Sequence, residues 1–184
     1  MAEADIVVLV EEASANEVVR AISHKLGLSA RIKILKHQGI GDLKKSIANK
    51  IGSDPFETSK FMVLCDADGK SCDALKRELI ALVPQSKRAK TLVRIVCQEL
   101  EAWYLAQPRA LERAGALAKP IPQSVLRANV DAIHDPKRTF RRCAHEKGQI
   151  EHARRIGREL DPDEIKSASF GHFVAGLRKL AAMQ

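Results

Sequence analysis

The fold is set by a short apolar run near the start of the chain, Asp5-Ile-Val-Val-Leu-Val-Glu11. Apolar residues fill every position between the two acids, which is typical of a strand buried on both faces of a parallel sheet. A second run of this kind, Phe61-Met-Val-Leu-Cys65, leads into Asp66-Ala-Asp68-Gly69. These runs predict the two central strands of an α/β domain.

Helical and extended patterns alternate around these two strands. Val18, Ile22 and Leu26 share one helical face, and Arg31-Ile-Lys-Ile-Leu35 then alternates weakly, like a strand nearer the sheet edge. Another strand is predicted at Leu92-Val-Arg-Ile-Val-Cys97. Because parallel strands need right-handed crossovers, we expect an open, mainly parallel four-stranded sheet in the order 2-1-3-4, flanked by helices.

The chain after Pro108 has no further strand pattern, and its helix candidates are residues 125–133, 150–160 and 170–180. We therefore expect an α/β core over residues 1–107 and a helical C-terminal extension over residues 108–184, packed on the same domain. A chain of 184 residues with 45% hydrophobic content is large enough to fold as one domain.

Composition excludes several classes of protein. No apolar run approaches the ~20 residues of a membrane-spanning helix, and the N-terminus lacks a signal-peptide pattern, so we expect a cytoplasmic protein with no membrane partner. The four cysteines form no C-x-x-C pair, which argues against a zinc site or a disulfide framework.

Residues 1–68 carry 9 basic and 10 acidic side chains, a net charge of −1, whereas residues 69–184 carry 22 and 13, a net charge of +9.

Acidic side chains follow both central strands. Glu11 and Glu12 come after the first run, and Asp66 and Asp68 come after the second. Ligands of open α/β sheets bind at the carboxyl ends of the strands, and carboxylate oxygens suit Mg²⁺ or Mn²⁺. Two other interpretations stay open, since Asp and Gly dominate turns and acids are favoured near helix N-termini.

Several short motifs stand in an order and spacing that resemble a known family. They are Val10-Glu-Glu-Ala-Ser14, His37-Gln-Gly39, Asp66-Ala-Asp68 with Cys72, Glu99-Leu-Glu-Ala-Trp103, Asp135-Pro-Lys137 and Ser169-Phe170. The V-E and D-x-D motifs on a βαβ scaffold resemble the TOPRIM domain of topoisomerases, primases and overcoming-lysogenization-defect nucleases. Nearly the whole chain resembles a TOPRIM-like family of uncharacterised bacterial proteins that carries a domain-of-unknown-function label.

The resemblance implies that Glu11 is the TOPRIM glutamate and that Asp66 and Asp68 bind the metal, Mg²⁺ or Mn²⁺. TOPRIM motifs usually have Gly after the glutamate, whereas this chain has Glu12.

The motif that follows the last predicted strand is the most distinctive of these. Its carboxylates, Glu99 and Glu101, should lie at the same edge of the sheet as the others, where one of the two would complete a second metal site. Acids in the first turn of a helix are also favoured without any catalytic role, and Trp103 and Tyr104 fit ordinary core aromatics equally well.

Residues 137–158, called the basic tract below, carry eight Lys and Arg side chains against two Glu, a net charge of +6. Such a density neutralises phosphates without reading a sequence, although a solvated helix face or a dock for an acidic partner has the same composition. The candidates for nucleic-acid contact are Lys137, Arg138, Arg141, Arg142, Arg154 and Arg155. Lys137 and Lys147 are the candidates for stabilising charge in a transition state.

Three functions fit these patterns. The first is a Mg²⁺-dependent phosphoryl-transfer enzyme, a TOPRIM-type nuclease of a bacterial defence or mobile-element system. Its catalytic residues would be Glu11, Asp66, Asp68 and Lys147, and Glu101 would be a further metal ligand. The second is a binding module on a catalytically degenerate TOPRIM scaffold that acts with an ATPase partner. The third is a small-molecule phosphatase or phosphotransferase, which needs the carboxylates but not the basic tract.

Overall fold

The computed structural model describes residues 4–55 and 59–183. Within these residues one parallel sheet is formed by β1 (Ile6–Val10), β2 (Ile32–Lys36), β3 (Lys60–Asp66) and β4 (Thr91–Val96). The strands are hydrogen-bonded in the order β2-β1-β3-β4, so the predicted order and the two predicted central strands are confirmed.

Helices connect and flank the strands. They are α1 (Ala13–Lys25), α2 (Ile40–Ser46), α3 (Cys72–Ala81), α4 (Glu101–Ala106), α5 (Pro108–Arg113), α6 (Gln123–Leu126), α7 (Pro136–Arg141), α8 (Gln149–Glu159) and α9 (Ala168–Ala182). A π-helical turn, Ile47–Ile51, continues α2, and 3₁₀ turns lie at Gln85–Lys90 and Val130–Ala132.

The prediction of one helix over residues 125–133 is wrong. Helix α6 ends at Leu126, and the chain becomes extended at Asn129 before the 3₁₀ turn. The side-chain oxygen of Asn129 accepts a hydrogen bond from the Asp131 N–H at 3.2 Å. Asn side chains offer the backbone such local bonds in place of helical ones, so the helix is interrupted here.

The sheet separates two apolar cores. Side chains of a strand alternate between its faces, and in β1 the residues Ile6, Val8 and Val10 face one core while Val7 and Leu9 face the other. The first core is closed by α1, α4, α5, α8 and α9, and the second by α2, its π-helical turn and α3. Burial on both faces explains why every position of β1 is apolar.

The C-terminal helices cover one face of this sheet. Helix α8 packs along α1 so closely that a Cβ at Gly157 would lie 3.3 Å from the Val18 Cα atom. Helix α9 contacts β3 and β4 on the same side. The division of the chain at residue 107 stays a prediction. None of the helices in the described part of the chain is long and apolar enough to cross a membrane.

Candidate functional site

The carboxyl ends of β1, β3 and β4 meet along one edge of the sheet. This edge, called the acidic edge below, carries Glu11, Glu12, Asp66, Asp68, Glu99 and Glu101. The strand order reverses between β1 and β3, which is where ligands bind in open α/β sheets.

Glu11 is held at the exit of β1 by the His37-Gln-Gly39 motif. The Gly39 N–H donates to the Glu11 carbonyl at 3.1 Å, from a left-handed backbone conformation (φ 89°) that favours glycine. The Glu11 Oε2 accepts from the Asp66 N–H at 3.3 Å. Burial raises the pKa of Glu11, and the negative charges of Asp68 and Glu12 raise it further.

Asp66 ends β3 and is partly buried. Its Oδ2 accepts a hydrogen bond from the Leu100 N–H at 3.2 Å. Burial raises the pKa of Asp66 well above its usual range, and the nearby carboxylates of Glu12 and Glu101 add to the shift. A cation at this edge would relieve the repulsion.

Asp68 lies on a backbone turn with an uncommon conformation. Asp68 (φ 47°) and Gln98 (φ 63°) are the two non-glycine residues with positive φ in the described part of the chain. The Asp68 N–H donates to the Gln98 carbonyl at 3.0 Å, so the two turns after β3 and β4 brace each other. Backbone conformations of this kind cluster at functional sites. The Asp68 side chain is exposed beside this turn.

Glu12 connects the acidic edge to the C-terminal helices. Its Oε1 accepts hydrogen bonds from the Ser14 hydroxyl and, at 3.0 Å, from the Gln149 amide at the start of α8. The position where TOPRIM motifs usually have Gly therefore carries a carboxylate that is held in place by two donors.

Glu99 connects the acidic edge to the start of the basic tract. Its Oε2 accepts from the Lys137 N–H at 3.0 Å, in the first turn of α7. Asp135 caps that turn by accepting from the Arg138 N–H at 2.8 Å. Glu99 shares a surface cavity of about 570 Å³ with basic side chains. The cavity is lined by Glu99, Asp135, Lys137, Arg138, Arg141 and Arg142.

Glu101 is buried, with 4% of its surface exposed, and lines a second cavity of about 380 Å³. The lining residues are Glu101, Tyr104, Phe140, Arg141, Ala144, His145, Glu146, Lys147, Gln149 and His152. Burial raises the pKa of Glu101 to about 7, and Lys137 partly opposes the shift. The structure therefore brings Lys147, predicted to be catalytic, into one cavity with Glu101, predicted to bind metal.

The basic tract divides between two surfaces. Its first part, from Lys137 to Lys147, lines the two cavities that contain Glu99 and Glu101. Arg154 lies instead against α1, where its Nε is 2.9 Å from the Glu17 carboxylate. Arg155 stays beside the first part, because its Nη1 atom is 3.9 Å from the Glu151 Oε1, the same atom that is 2.8 Å from the Lys147 Nζ. Of the six predicted nucleic-acid contacts, the structure thus groups Lys137, Arg138, Arg141 and Arg142 with the acidic edge.

The acidic edge fits a hard divalent cation by its donor chemistry. Its ligands would all be carboxylate oxygens, which Mg²⁺ and Mn²⁺ prefer, and three of these carboxyl groups have pKa values raised by burial and mutual repulsion. Over residues 4–55 and 59–183, no group of three or more His, Cys, Asp or Glu side chains is arranged to hold a metal ion. The predicted metal residues are neighbours, and their ligand role stays a prediction.

Two polar groups beside the acidic edge carried no signal in the sequence. The Tyr104 hydroxyl and the His152 Nδ1 are buried atoms for which the described residues provide no hydrogen-bond partner. Both residues line the cavity with Glu101. They lie 48 positions apart in the chain (152 − 104), so only the folded structure brings them to one cavity.

Trp103 belongs to the core rather than to the site. Its ring stacks on Phe173, with centroids 5.1 Å apart, and meets Phe170 edge-on at 5.2 Å. Its Nε1 donates to the Ser169 hydroxyl at 2.8 Å. The motif Glu99-Leu-Glu-Ala-Trp103 thus contains two carboxylates of the acidic edge and an aromatic side chain that packs α4 against α9.

The raised pKa of Glu101 predicts that the protein loses stability as the pH rises through neutrality. Between its ordinary pKa of 4.5 and the raised value of about 7, the folded state keeps a proton that the unfolded state has released. Stability therefore falls as the pH rises in this window. Lowering the pH from about 8 to about 6.5 should raise the free energy of unfolding by about 1 kcal/mol. Urea unfolding measures this gain. The Glu101→Gln variant should show a smaller gain, because Glu11 and Asp66 also have raised pKa values, and an undiminished gain in that variant would contradict the assignment.

Comparisons with known proteins agree with this architecture. The family described as Domain of unknown function (DUF4276) matches the chain over residues 10–178. The C-terminal region of the Burkholderia pseudomallei OLD protein is similar over 97% of this chain and 99% of that chain, with 12% sequence identity and a TM-score of 0.55. At this identity the likeness shows the fold alone, and the predicted TOPRIM-like fold is confirmed.

The C-terminal region of the Xanthomonas campestris pv. campestris OLD protein, phased with mercury, has 14% identity and a TM-score of 0.47 over 97% of this chain and 98% of that chain. No curated protein matches the chain.

Proposed function

This chain belongs to the DUF4276 family, and we propose that it is a metal-dependent nuclease of the TOPRIM type that cleaves nucleic acid with Mg²⁺ or Mn²⁺. The observation that carries the proposal is the contact between the acidic edge and the basic tract. The Lys137 N–H binds the Glu99 carboxylate at 3.0 Å, and Arg138, Arg141 and Arg142 line the same cavity. Carboxylates for a cation and cations for phosphates thus lie side by side.

The proposed roles follow from the surroundings of each side chain. Glu11, Asp66 and Asp68 would hold the cation, and Glu101 would serve a second one. A cation bound there would stabilise the negative charge that develops on a phosphate during cleavage. If Glu101 holds no cation, its pKa of about 7 suits it instead to accept a proton from water near neutral pH. Lys147, in the cavity of Glu101, would neutralise charge on the substrate.

The proposal is tested by incubating the purified protein with plasmid, linear and single-stranded DNA and with RNA. We expect cleavage with Mg²⁺ or Mn²⁺ and none with a chelator. Glu11→Gln should reduce the rate at least about 100-fold, because it removes a metal ligand. The matched control is Glu112→Gln, which neutralises an exposed glutamate on α5. Cleavage that persists in Glu11→Gln, or in the chelator, would overturn the proposal.

The division of the basic tract predicts that two triple variants of equal charge behave differently. Replacing Arg138, Arg141 and Arg142 by Gln should weaken binding and reduce the slope of log affinity against log salt by up to about 3, because each phosphate contact contributes about 0.9. Binding titrations on duplex DNA over a range of salt concentrations measure both effects.

The control for this experiment replaces Arg154, Arg155 and Arg158 by Gln. Arg154 is paired with Glu17 on another surface, so we expect a smaller loss of affinity and a nearly unchanged slope. Equal losses in the two triple variants would mean that the whole tract contacts nucleic acid.

A second candidate is a binding module on a degenerate TOPRIM scaffold that acts with an ATPase partner. It is favoured by Glu12, whose carboxylate is held by Ser14 and Gln149 at the turn where a glycine would let phosphate approach. This function predicts nucleic-acid binding without cleavage and no calorimetric signal on addition of Mn²⁺. Micromolar Mn²⁺ affinity that Asp66→Asn abolishes would exclude it.

A further inference from the structure

Two cysteine thiols lie in contact beside the acidic edge. The Cys72 Sγ is 3.3 Å from the Cys97 Sγ, although the two residues stand 25 positions apart in the chain. Cys72 is the first residue of α3, and Cys97 directly follows β4. A disulfide bond is about 2 Å long, so the two sulfurs need to approach by only about 1.3 Å to form one. The fold thus brings together two thiols that no C-x-x-C pattern marks in the sequence.

The pair can be reached from the surface. Cys72 and Cys97 are both partly exposed, and both line a surface cavity of about 390 Å³ that lies over β4 between α3 and α9. The other two cysteines of the chain, Cys65 and Cys143, are buried at 1% and 4% exposure. An oxidant that arrives from solution therefore meets Cys72 and Cys97 first.

The surroundings of Cys97 decide which of the two thiols reacts first. Burial raises the pKa of Cys97 to about 12, and the contact with Cys72 and the negative charge of Asp131 add to the shift. Cys97 is therefore a protonated thiol at neutral pH, whereas the form that reacts with peroxides is the thiolate. Cys72, which shares its cavity with the Lys76 side chain one turn along α3, is left as the sulfur that meets the oxidant.

We propose that Cys72 and Cys97 form a reversible disulfide when the protein meets a peroxide. The Cys72 sulfur attacks one oxygen of hydrogen peroxide, the O–O bond breaks, and Cys72 becomes a sulfenic acid while the other oxygen leaves as water. The Cys97 sulfur then attacks the Cys72 sulfur, and the sulfenic oxygen leaves with the Cys97 thiol hydrogen as a second water. Each sulfur gives up one electron in total, and the peroxide takes up both. A reducing thiol such as dithiothreitol restores the pair by exchange.

The disulfide joins the two turns that follow β3 and β4 at the acidic edge. Helix α3 begins four positions after Asp68, and Cys97 directly precedes Gln98. The Asp68 N–H donates to the Gln98 carbonyl at 3.0 Å, and both residues have positive φ. A covalent bond beside this hydrogen bond limits how far the two turns can separate. The oxidised protein therefore holds the backbone of Asp68 more rigidly than the reduced protein does.

The test is limited oxidation of the fully reduced full chain by hydrogen peroxide, followed by mass spectrometry. The wild-type chain should lose two hydrogens and give one cross-linked peptide that contains Cys72 and Cys97, and dithiothreitol should restore both thiols. Cys97→Ser should stop at a sulfenic acid on Cys72, which dimedone labels. Cys72→Ser should give neither product. Cys143→Ala is the matched control, and it should form the disulfide as the wild type does.

Two physical measurements follow the consequence of the bond. Oxidation should raise the midpoint of thermal unfolding by at least about 5 °C, because the disulfide closes a loop in the unfolded chain. It should also slow hydrogen exchange of the Asp68 N–H by at least about 10-fold, because local opening of the two turns becomes more costly. Peroxide should change neither quantity in Cys72→Ser.

A cross-link between other cysteines, oxidation of all four thiols to the same extent, or no dimedone adduct on Cys72 in Cys97→Ser would overturn the proposal. Unchanged exchange of the Asp68 N–H in the oxidised protein would overturn the claim that the bond acts on the acidic edge. No readout here uses cleavage of nucleic acid, so the outcome is separate from that of the nuclease proposal.

Discussion

Replacing Asp66 by Asn is expected to stabilise the metal-free protein while it abolishes cleavage. Burial, together with the charges of Glu12 and Glu101, raises the pKa of Asp66 well above its usual range. The folded state therefore holds a proton that the unfolded state releases at lower pH, so ionised Asp66 destabilises the fold at neutral pH. Asn has the same shape, carries no charge, and can still accept from the Leu100 N–H. The free energy of unfolding should therefore rise in Asp66→Asn at neutral pH when no metal is present.

Cleavage by Asp66→Asn should fall at least about 100-fold, because the amide is a far poorer ligand for a hard cation than the carboxylate. The added stability that Mg²⁺ gives the wild-type protein should also disappear. Urea unfolding with a chelator and with Mg²⁺, beside single-turnover cleavage, measures the three effects.

Asp68→Asn is the matched variant for this experiment. Asp68 is exposed and has a left-handed backbone that Asn tolerates equally well, so its stability should stay within about 0.5 kcal/mol of the wild type. Its cleavage should nevertheless fall with that of Asp66→Asn, since both carboxylates are proposed ligands. Destabilisation by Asp66→Asn in the chelator would refute the account of its burial. Undiminished cleavage in both variants would refute the metal assignment.

The fold was predictable because burial on both faces marks every position of a central strand. Strands β1 and β3 consist of such continuous apolar runs, and strand-helix alternation then restricts the order of the sheet. The clustering of the carboxylates at the acidic edge could be predicted in the same way, because acidic side chains that directly follow neighbouring parallel strands lie at the same edge of the sheet. Glu11 and Asp66 do so, with a hydrogen bond of 3.3 Å between them.

Contacts between distant parts of the chain could not be predicted in this way. The bond from Gln149 to Glu12 joins residues 137 positions apart, and the bond from Lys137 to Glu99 spans 38 positions. Neither contact produces a regular spacing of apolar residues, which is the signal that predicts helices and strands. The basic tract is continuous in the chain, yet Arg154 and Arg158 lie beside α1 while Arg141 and Lys147 line the cavity of Glu101. The net charge of the tract can be read from the sequence. Which of its side chains lie beside the acidic edge can be seen only in the folded structure.

Replacing Trp103 by Ala is expected to destabilise the protein by about 3 to 5 kcal/mol, as is typical of large aromatics in a core. Trp103 is 1% exposed, packs on Phe170 and Phe173, and donates to the Ser169 hydroxyl at 2.8 Å. Trp103→Phe keeps an aromatic ring but loses the hydrogen bond, so it should cost about 1 to 3 kcal/mol. Urea unfolding of both variants measures the difference. A loss below 1 kcal/mol for Trp103→Ala would contradict the packing.

The position of Trp103 also predicts a defect in the site that is separate from unfolding. Helix α4 has six residues, and it directs Glu101 and Tyr104 into the cavity while Trp103 packs against α9. Without the indole, α4 loses the ring contacts with Phe170 and Phe173 and the hydrogen bond to Ser169 that join it to α9. Trp103→Ala should therefore cleave more slowly even at low temperature, where circular dichroism shows it folded, and Trp103→Phe should retain most of its activity. Full activity per folded molecule in Trp103→Ala would mean that α4 is positioned by its other contacts, with α5 and α7.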